Sequence, residues 1–406
     1  MALMPVEEAL ALLLSTVQPL AGETVPLEQA AGRALAAPVV ARRTTPGADV
    51  SAMDGYALRA TDAATVPATL ELIGESAAGR PFPGRVEPGT TVRIFTGAVL
   101  PEGADAIVIQ EDTSRDGDAV TMTEAATPGR HIRRAGGDFT AGETLLEAGR
   151  RLRARDLALI AAADVDAVSV ARRPRVGLIS TGDELVRPGA GANAHQVIVS
   201  NIYSVAALAR AAGAEVIDLG ILPDRMDATQ AGVRAALDSG FDVLVTTGGA
   251  SVGDHDLIAP ALSAEGVDLA VHRIALRPGK PLMFGRSAAA RTQVLGLPGN
   301  PVSAHVCALL FLVPLIKALQ GLAVPAQPEL EPARLATDVK ANEQRMDFMR
   351  AEIVGRAEGL PLVRPMPVQD SSMLRNLARA DVLLVRRPHA PSASAGDMCE
   401  ILRLED

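Results

Sequence analysis

The feature that most constrains the fold is a regular alternation of short apolar strands with longer helical segments between residues 174 and 320. The runs RVGLIS, EVIDLGI and DVLVTTGG are apolar on both faces, and helix-like segments separate them. Strands of this kind are typical of a parallel sheet that is covered by helices. Ligands bind at the carboxyl ends of the strands in such sheets, so polar motifs that directly follow a strand are the first candidates for a site.

The segments on either side of this α/β region have different patterns. Residues 1–43 predict an amphipathic helix that begins near Pro5, and a second helix is expected near residues 155–163. Residues 44–137 alternate short β-type runs with Gly and Pro, which is typical of a small antiparallel β domain. The Pro-rich stretch AVPAQPELEP indicates a linker, and the runs after it predict an all-β C-terminal domain.

Composition excludes several classes of protein. The 406-residue chain is long enough for about two to four domains, and its net charge of −9 with 2% aromatic residues argues against nucleic-acid binding. The two cysteines, Cys307 and Cys399, do not form a disulfide framework, which favours a reducing compartment. The N-terminus lacks a basic leader, and the apolar run Val306–Ile316 is too short to span a bilayer. We therefore expect a soluble cytoplasmic protein with no membrane partner.

A Gly-rich turn, Thr247-Gly248-Gly249-Ala250-Ser251-Val252-Gly253, directly follows the strand DVLVT. A strand that runs into such a turn before a helix exposes backbone N–H groups that can hold an anion. Gly-rich turns are also common as simple strand–helix connections. Phosphate binding and a purely conformational role are about equally supported by this spacing.

Carboxylates follow several of the same strands. Asp183 and Glu184 come directly after RVGLIS, and Asp224, Asp254 and Asp256 follow other strands of the unit. Any one of them could be a helix cap or a solvated side chain, but a parallel sheet gathers all of them at one edge. Oxygen ligands without His or Cys suit Mg²⁺. The histidines near this edge, His255 and His272, are expected to be structural or solvated.

Two further turns belong to this edge. Arg277-Pro278-Gly279-Lys280-Pro281 carries two cations, which either grip an oxyanion or form a basic surface turn. Gly296-Leu297-Pro298-Gly299-Asn300-Pro301 has the composition of an unusual turn before a long helix. In the β region, SAMDGYA (51–57) and RIFTGA (93–98) predict turns that carry reactive side chains.

The motifs SAMDGYA, RIFTGA, STGDEL, TTGGxSVGxxD, PGKP, GLPGNP and SSMLR occur in this order. Together they resemble the molybdopterin molybdenumtransferase family, which includes the C-terminal domain of gephyrin, over nearly the whole chain. The resemblance implies an α/β multidomain fold with a three-layer α/β domain like that of the molybdopterin adenylyltransferases. The domains would be a linking domain (1–43 and 138–173), an inserted β domain (44–137), the α/β molybdopterin-binding domain (174–322) and a C-terminal β-barrel (323–406).

The resemblance also implies roles for residues at the matching positions. The expected catalytic residues are Asp54, Asp138, Glu184, Asp224, Asp256 and Lys280. The expected substrate-binding residues, from motif and resemblance together, are Thr96, Thr181, Gly248, Gly249, Ser251, Arg277, Pro298, Asn300, Ser371 and Ser372. Asp183, Glu184 and Asp256 would bind Mg²⁺. Family members commonly have Lys at Arg277, Gly-Glu-Asp at Gly136-Gly137-Asp138 and Gly-Ser-Gly at Asp370-Ser371-Ser372.

The resemblance further implies the reaction and the partners. Adenylylated molybdopterin and molybdate would react with Mg²⁺ as cofactor, AMP would leave, and the metal would remain on the dithiolene. The chain would form a homodimer whose site is shared between protomers. Further expected partners are the molybdopterin adenylyltransferase and apo-molybdoenzymes.

Two other classes are weighed against this hypothesis. A dinucleotide-dependent oxidoreductase would place G-x-G-x-x-G after the first strand of the α/β unit, where this chain has STGDEL. A non-catalytic scaffold, as in the gephyrin relative, is disfavoured because the acidic set is intact.

Overall fold

The computed structural model describes residues 3–248, 257–287, 289, 291–325 and 327–404, with only the backbone of residues 271 and 272. It divides the chain into two compact units. Unit 1 comprises Met1–Glu23, Gly32–Ala36 and Val170–Asp406, and unit 2 comprises Thr24–Ala31 and Ala37–Ser169. The division into four domains expected from the sequence stays a prediction.

The described α-helices are, in chain order, α1 (Val6–Leu14), α2 (Ala154–Ala162), α3 (Asn201–Ala211), α4 (Met226–Asp238), α5 (Ile258–Ala264), α6 (Pro301–Cys307), α7 (Val313–Leu319) and α8 (Leu374–Arg379). A π-helical turn, Ala308–Leu312, joins α6 to α7. The helices expected near Pro5 and residues 155–163 are therefore present as α1 and α2. The short helix α8 was not expected.

The described strands of unit 2 and of the boundary between the units are β1 (Gly22–Pro26), β2 (Val39–Val40), β3 (Val50–Ser51), β4 (Gly55–Leu58), β5 (Ala68–Ser76), β6 (Thr90–Ile94), β7 (Ala106–Ile109), β8 (Thr113–Asp116), β9 (Ala119–Met122), β10 (Ile132–Arg133), β11 (Thr144–Leu146) and β12 (Ala167–Ala171). Those of unit 1 are β13 (Arg175–Thr181), β14 (Leu185–Val186), β15 (Val197–Ile198), β16 (Glu215–Leu222), β17 (Val243–Thr247), β18 (Val267–Arg273), β19 (Leu276–Arg277), β20 (Pro281–Ser287), β21 (Gln293–Leu297), β22 (Glu331–Leu335), β23 (Met346–Ala357), β24 (Leu360–Pro365), β25 (Val382–Arg386) and β26 (Met398–Arg403).

The main sheet of unit 1 has the strand order β16-β13-β17-β21-β20-β18. The first four strands are parallel, as expected, but β20 is antiparallel to β21 and β18 is antiparallel to β20. The sheet is therefore mixed, which corrects the expectation of a wholly parallel one. The physical reason is the connection between β18 and β20, residues 274–280, which is too short for a crossover helix and holds the two strands as an antiparallel pair.

The long apolar helix Pro301–Leu319, expected from the sequence, lies in the core of unit 1. Val302, Phe311 and Ile316 are fully buried. Pro314 has no backbone N–H to donate, and the π-helical turn comes directly before it, at a usual position for such a break. Among the described helices, Pro301–Leu319 is the one that is long and apolar enough to cross a membrane. However, 67% of its most apolar 18-residue stretch is buried inside the protein.

The main sheet of unit 2 has the strand order β7-β4-β6-β5-β9-β8. The β-type runs of the sequence here, TLELIGE, TTVRIFTG, DAIVIQED and AVTMTE, form β5, β6, β7 and β9. One pair, β5 and β6, is parallel, so the expectation of an antiparallel domain needs this correction. The connection from residue 77 to residue 89 is long enough to carry the chain back along the sheet, as a parallel pair requires.

Strand β4 was missed because its motif, SAMDGYA, is rich in turn-forming residues. All four residues Gly55–Leu58 are buried, and the strand lies between β6 and β7. Gly55 is required there, since a Cβ would collide with the backbone of Val108 on β7.

The C-terminal strands close into a barrel, as expected. The order is β23-β24-β22-β26-β25, and β25 pairs again with β23. Its interior is apolar, with Ala333, Leu335, Val363 and Leu384 among the fully buried residues. The short strand β19 adds to β23 from outside, at Leu276–Arg277. The turn that carries Lys280 is thereby connected to the barrel.

Candidate functional site

A cavity of about 1040 Å³ opens at the carboxyl ends of the parallel strands in unit 1. Strands β13, β17 and β21 end at Thr181, Thr247 and Leu297, and the residues at or after these ends line it. The sequence-predicted residues that line the cavity are Thr181, Glu184, Gly248, Arg277, Lys280, Pro298, Asn300, Ser371 and Ser372. The fold thus brings together residues that lie up to 191 positions apart in the chain, Thr181 and Ser372.

The barrel contributes one wall of this cavity through Asp370, Ser371 and Ser372. The Nδ2 of Asn300 donates to the Oγ of Ser371 at 3.0 Å, and the N–H of Val302 donates to the Ser371 carbonyl at 3.0 Å. These contacts join the GLPGNP turn to the barrel. The N–H and Oγ–H of Ser372 both donate to Asp370, at 2.8 and 2.6 Å, and hold the pKa of that carboxyl below its usual value.

The two cations of the PGKP turn have different environments. Arg277 donates from Nε and Nη2 to one carboxylate oxygen of the buried Asp347, at 2.9 and 2.5 Å. These hydrogen bonds raise the pKa of Arg277. Lys280 is exposed, and the described residues supply no hydrogen bond or ion pair to its ammonium. Arg277 is therefore a fixed wall of the cavity, whereas Lys280 is available to an anion.

Arg345 is a second available cation that was missed from the sequence. It lines the same cavity, and its guanidinium likewise has no described partner. In the sequence, Arg345 is marked only by its position directly before strand β23. Several other strands of this chain also have a neighbouring Arg, so this position does not indicate a site. Only the closure of the barrel against the α/β sheet places this one in the cavity.

The turn that carries Lys280 is held in place by the packing of Gly279 against Cys307. Gly279 has φ +115°, and a Cβ at that position would lie 2.5 Å from the Sγ of Cys307. The Cys307 thiol is fully buried, and burial raises its pKa. The Lys280 carbonyl accepts the N–H of Ile274 at 2.8 Å, which holds the other side of the turn.

The acidic side of the site contains one carboxylate that lines the cavity and two that stabilise turns. Glu184 lines it, with its carboxylate packed against Gly182. Asp183 accepts the N–H of Asp224 at 3.0 Å, and Asp224 accepts the N–H of Asp183 at 3.3 Å. This reciprocal pair ties the turn after β13 to the turn after β16.

The predicted residues Gly249, Ser251 and Asp256 lie outside the described residues, as do Asp254, His255 and the side chain of His272. Within the described ranges, no group of three or more His, Cys, Asp or Glu side chains is placed to hold a metal ion. The described part of the expected ligand set, Asp183 and Glu184, consists of carboxylates. Its chemistry therefore fits Mg²⁺, which prefers oxygen ligands.

An apolar ribbon forms another part of the lining and was also missed. Strands β14 and β15 pair in parallel, and Leu185, Val197 and Ile198 line the cavity. Val197 is 55% exposed and Ile198 is 38% exposed. Exposed apolar side chains beside a polar cavity provide a surface for a flat heterocycle.

In unit 2 the two predicted loops meet at Asp54 and Thr96. The Oδ1 of Asp54 accepts the N–H of Thr96 at 2.7 Å and its Oγ–H at 2.8 Å, and these bonds hold the pKa of Asp54 below its usual value. The guanidinium of Arg93 lies between the rings of Tyr56 and Phe95, at 5.0 and 4.9 Å from their centroids. One aromatic ring comes from each loop, so Arg93 links the two.

Asp138, also in unit 2, is exposed beside the buried Phe139. Its N–H donates to the Thr45 carbonyl at 3.1 Å. Among the described residues no hydrogen bond joins its carboxylate to Asp54 or Thr96.

Three family models match successive parts of the chain. They describe the MoeA N-terminal region (domain I and II) at residues 4–163, a probable molybdopterin binding domain at residues 177–318, and the MoeA C-terminal region (domain IV) at residues 332–404.

Curated relatives and solved structures agree with these models. A molybdopterin molybdenumtransferase of Haemophilus influenzae is 35% identical over 380 residues, which are 93% of each chain. Molybdopterin molybdenumtransferase 2 of Mycobacterium tuberculosis is 37% identical over 390 residues, 93% of this chain and 94% of that protein. A crystal structure of the molybdopterin biosynthesis MoeA protein of Pyrococcus horikoshii matches over 98% of this chain and 99% of that one, with a TM-score of 0.84 and 27% identity.

Proposed function

Because this chain belongs to the molybdopterin molybdenumtransferase family, and is thus an enzyme of molybdenum cofactor biosynthesis, we propose that it inserts molybdate into adenylylated molybdopterin with Mg²⁺-dependent release of AMP. The observation that carries the proposal is the cavity at the strand ends, with Lys280 and Arg345 as available cations. Both cations provide positive potential to an anionic substrate.

Charge is the main physical requirement of this reaction. Molybdate and a substrate that carries phosphates repel each other, and the protein has a net charge of −9. Local cations and backbone N–H groups must therefore screen the repulsion inside the cavity. Lys280 acts as a point charge, and Arg345 can hold two oxygens of one oxyanion through its planar fork.

The apolar ribbon supports a role in placing the pterin. Leu185, Val197 and Ile198 would lie against the flat ring system, while the phosphates would face the cations of the same cavity. Such an arrangement would hold the reacting groups in a fixed orientation, which is itself a large contribution to catalysis.

Mg²⁺ would be held by Asp183, Glu184 and Asp256, and when bound it supplies charge neutralisation at the phosphates. The protein's own part is to keep the carboxylates in place. Asp224 does this for Asp183, since each accepts the backbone N–H of the other. Loss of Asp224 would therefore loosen the turn that presents Glu184.

We also propose a homodimer in which Asp54, Thr96 and Asp138 of one protomer act at the cavity of the other. The support is the hydrogen-bonded pair Asp54–Thr96, which is preorganised on the surface of unit 2. A cytoplasmic location, delivery of substrate by the molybdopterin adenylyltransferase and transfer of product to apo-molybdoenzymes belong to the same proposal.

The test is to incubate the purified protein with adenylylated molybdopterin, molybdate and Mg²⁺. AMP release and reconstitution of an apo-molybdoenzyme are assayed together, with and without the metal ion. Both are expected only when all three components are present. Reconstitution without AMP release would show that the substrate is not the adenylylated form.

Asp256→Ala is expected to lose at least about tenfold in Mg²⁺-dependent AMP release while its thermal midpoint stays close to that of wild type. The reason is that the residue is predicted to be a metal ligand at the edge of the sheet, where loss of a carboxylate costs little stability. Asp254→Ala, two residues earlier and outside the predicted ligand set, is the matched control. Equal activity of both variants and wild type would exclude Asp256 from the site.

A further inference from the structure

The mouth of the C-terminal barrel is a second cavity, of about 800 Å³, that the proposed reaction does not use. Its lining includes Arg277, Lys340, Asp347, Arg364 and Arg386. It lies beside the cavity described above, because Arg277 and Gln369 line both. Lys280 does not line it. The mouths of β-barrels are frequent places for ligand sites.

Arg386 is the buried cation of this barrel mouth. Val382 and Leu384 on β25 belong to the core of the barrel, so the alternation of the strand directs Arg386 to the same inner face. It is 9% exposed. Its Nη2 donates to the carbonyls of Lys340, at 3.3 Å, and Pro391, and its buried Nε has no hydrogen-bond partner among the described residues.

No carboxylate among the described residues forms an ion pair with Arg386. Asp347, the nearest acid in the register of the sheet, is held by Arg277 through two hydrogen bonds. A buried charge without a counter-charge is costly, since it has lost its water and gained no opposite charge in return. An anion in the barrel mouth would supply that counter-charge.

The other charged groups leave the barrel mouth positive. Its lining contains the cations Arg277, Lys340, Arg364, Arg379 and Arg386, and the acids Asp338, Asp347 and Glu352. Glu352 is shared between Arg364, at 3.4 Å, and Arg379, at 2.8 Å. The excess of cations contrasts with the net charge of −9 of the whole chain. A concave region of positive potential in an acidic protein concentrates anions.

We propose that the barrel mouth binds a small tetrahedral oxyanion, with the guanidinium of Arg386 as its buried donor and Lys340 as a charge at the rim. The site is separate from the insertion cavity and does not depend on the proposed reaction. Molybdate and inorganic phosphate both have this chemistry. The experiment therefore uses each of them alone as a probe.

The experiment measures binding of molybdate, and separately of phosphate, by equilibrium dialysis at low ionic strength. The parent protein is Lys280→Ala, which removes a cation of the insertion cavity and leaves the barrel mouth unchanged. Added to this parent, Lys340→Ala is expected to weaken binding about three- to tenfold, and Arg386→Lys about tenfold or more. Arg356→Ala, an exposed cation on β23 outside this cavity, is the matched control and is expected to stay within about twofold of the parent.

Lys340 is exposed, so its substitution tests the proposal even if Arg386→Lys does not fold. Tighter binding of one probe, with the expected losses in both variants, supports the proposal and identifies the oxyanion that the site prefers. Unchanged affinity in a folded Lys340→Ala and Arg386→Lys overturns it. Loss of all oxyanion binding already in the Lys280→Ala parent also overturns it, because the ion would then occupy the insertion cavity.

Discussion

At the scale of single residues, the position of Lys280 depends on a glycine and a cysteine that have no charge. Gly279 adopts a backbone conformation that favours glycine, and it lies directly against the buried thiol of Cys307. There is no space for a side chain between them. The sequence PGKP therefore specifies both a cation and the place where that cation stands.

Gly279→Ala is expected to lower kcat/KM by at least about tenfold and to destabilise the protein by about 1–3 kcal/mol, because the new Cβ would displace the turn. Gly240→Ala is the matched control, since Gly240 has φ +67° and no atom near its would-be Cβ. The control variant should lose stability but keep the kcat/KM of wild type. Steady-state kinetics and thermal unfolding of both variants decide the matter; equal kinetic effects would show that the contact with Cys307 does not position Lys280.

Lys280→Ala is expected to weaken substrate binding by about fivefold or more at low ionic strength, and its affinity should depend less on salt than that of wild type. The reason is that a lost charge contact removes one interaction that salt screens. Substrate affinity measured at two ionic strengths checks this. Lys317→Ala, which removes a Lys that does not line the cavity, is the control. An affinity at low salt equal to that of wild type would place Lys280 outside the anion site.

At the scale of elements, one acid at the end of α5 links this helix to α4 by hydrogen bonds, in addition to their apolar packing. Glu265 accepts hydrogen bonds from Arg234, at 2.7 and 2.9 Å, and from Gln230, at 2.7 Å. These bonds lower the pKa of Glu265 from 4.5 to about 2. A carboxyl with a lowered pKa stabilises the fold at pH values above its unfolded pKa, and this contribution is lost as the pH falls toward the folded value.

Glu265→Gln is therefore expected to be less stable than wild type at neutral pH, and the difference should shrink as the pH falls from about 4.5 toward 2. Denaturant unfolding at a series of pH values measures it. Glu215→Gln, an exposed Glu at the start of β16 without a described partner, is the control and should show little difference at any pH. A difference that grows on acidification would contradict the role of the ion pair.

Elements that bury a regular apolar pattern could be predicted from the sequence, and others could not. Strands β13 and β17 were predicted because both of their faces are apolar. Strand β4 was missed because the close approach of β7 demands a glycine, and glycine indicates a turn when the partner strand is unknown. The antiparallel direction of β20 follows from a short connection, which local periodicity does not show.

The candidate site, too, could be predicted only where local sequence pattern and sheet topology determine it. The residues of the strand-end turns could be predicted, since topology alone places them at one edge of the sheet. Arg345 and the ribbon of Leu185, Val197 and Ile198 could not, because their place depends on tertiary packing. The pairing of Arg277 with Asp347 was also hidden, since the two are 70 positions apart.

At the scale of the whole molecule, the proposed shared site makes a prediction about mixed dimers. Asp54→Ala and Asp256→Ala, each inactive alone, are unfolded together and refolded as a mixture. In a mixed dimer one site collects both defects and the other collects neither. Random pairing makes about half of the dimers mixed, so roughly a quarter of wild-type activity should return. The control is Asp256→Ala alone, unfolded and refolded in the same way, which should stay inactive. An inactive first mixture, with mixed dimers confirmed by mass, would rule out the shared site.

The closed C-terminal barrel has a consequence for how the protein meets other proteins. A sheet that closes on itself leaves no row of free backbone amides and carbonyls along an outer strand. Beyond the two-residue pairing that β19 already makes with β23, an extended peptide or a partly folded second copy finds little free edge to pair with. A protein that docks on this barrel must therefore recognise it through side chains, so its specificity rests on residues that can change during evolution without disturbing the fold.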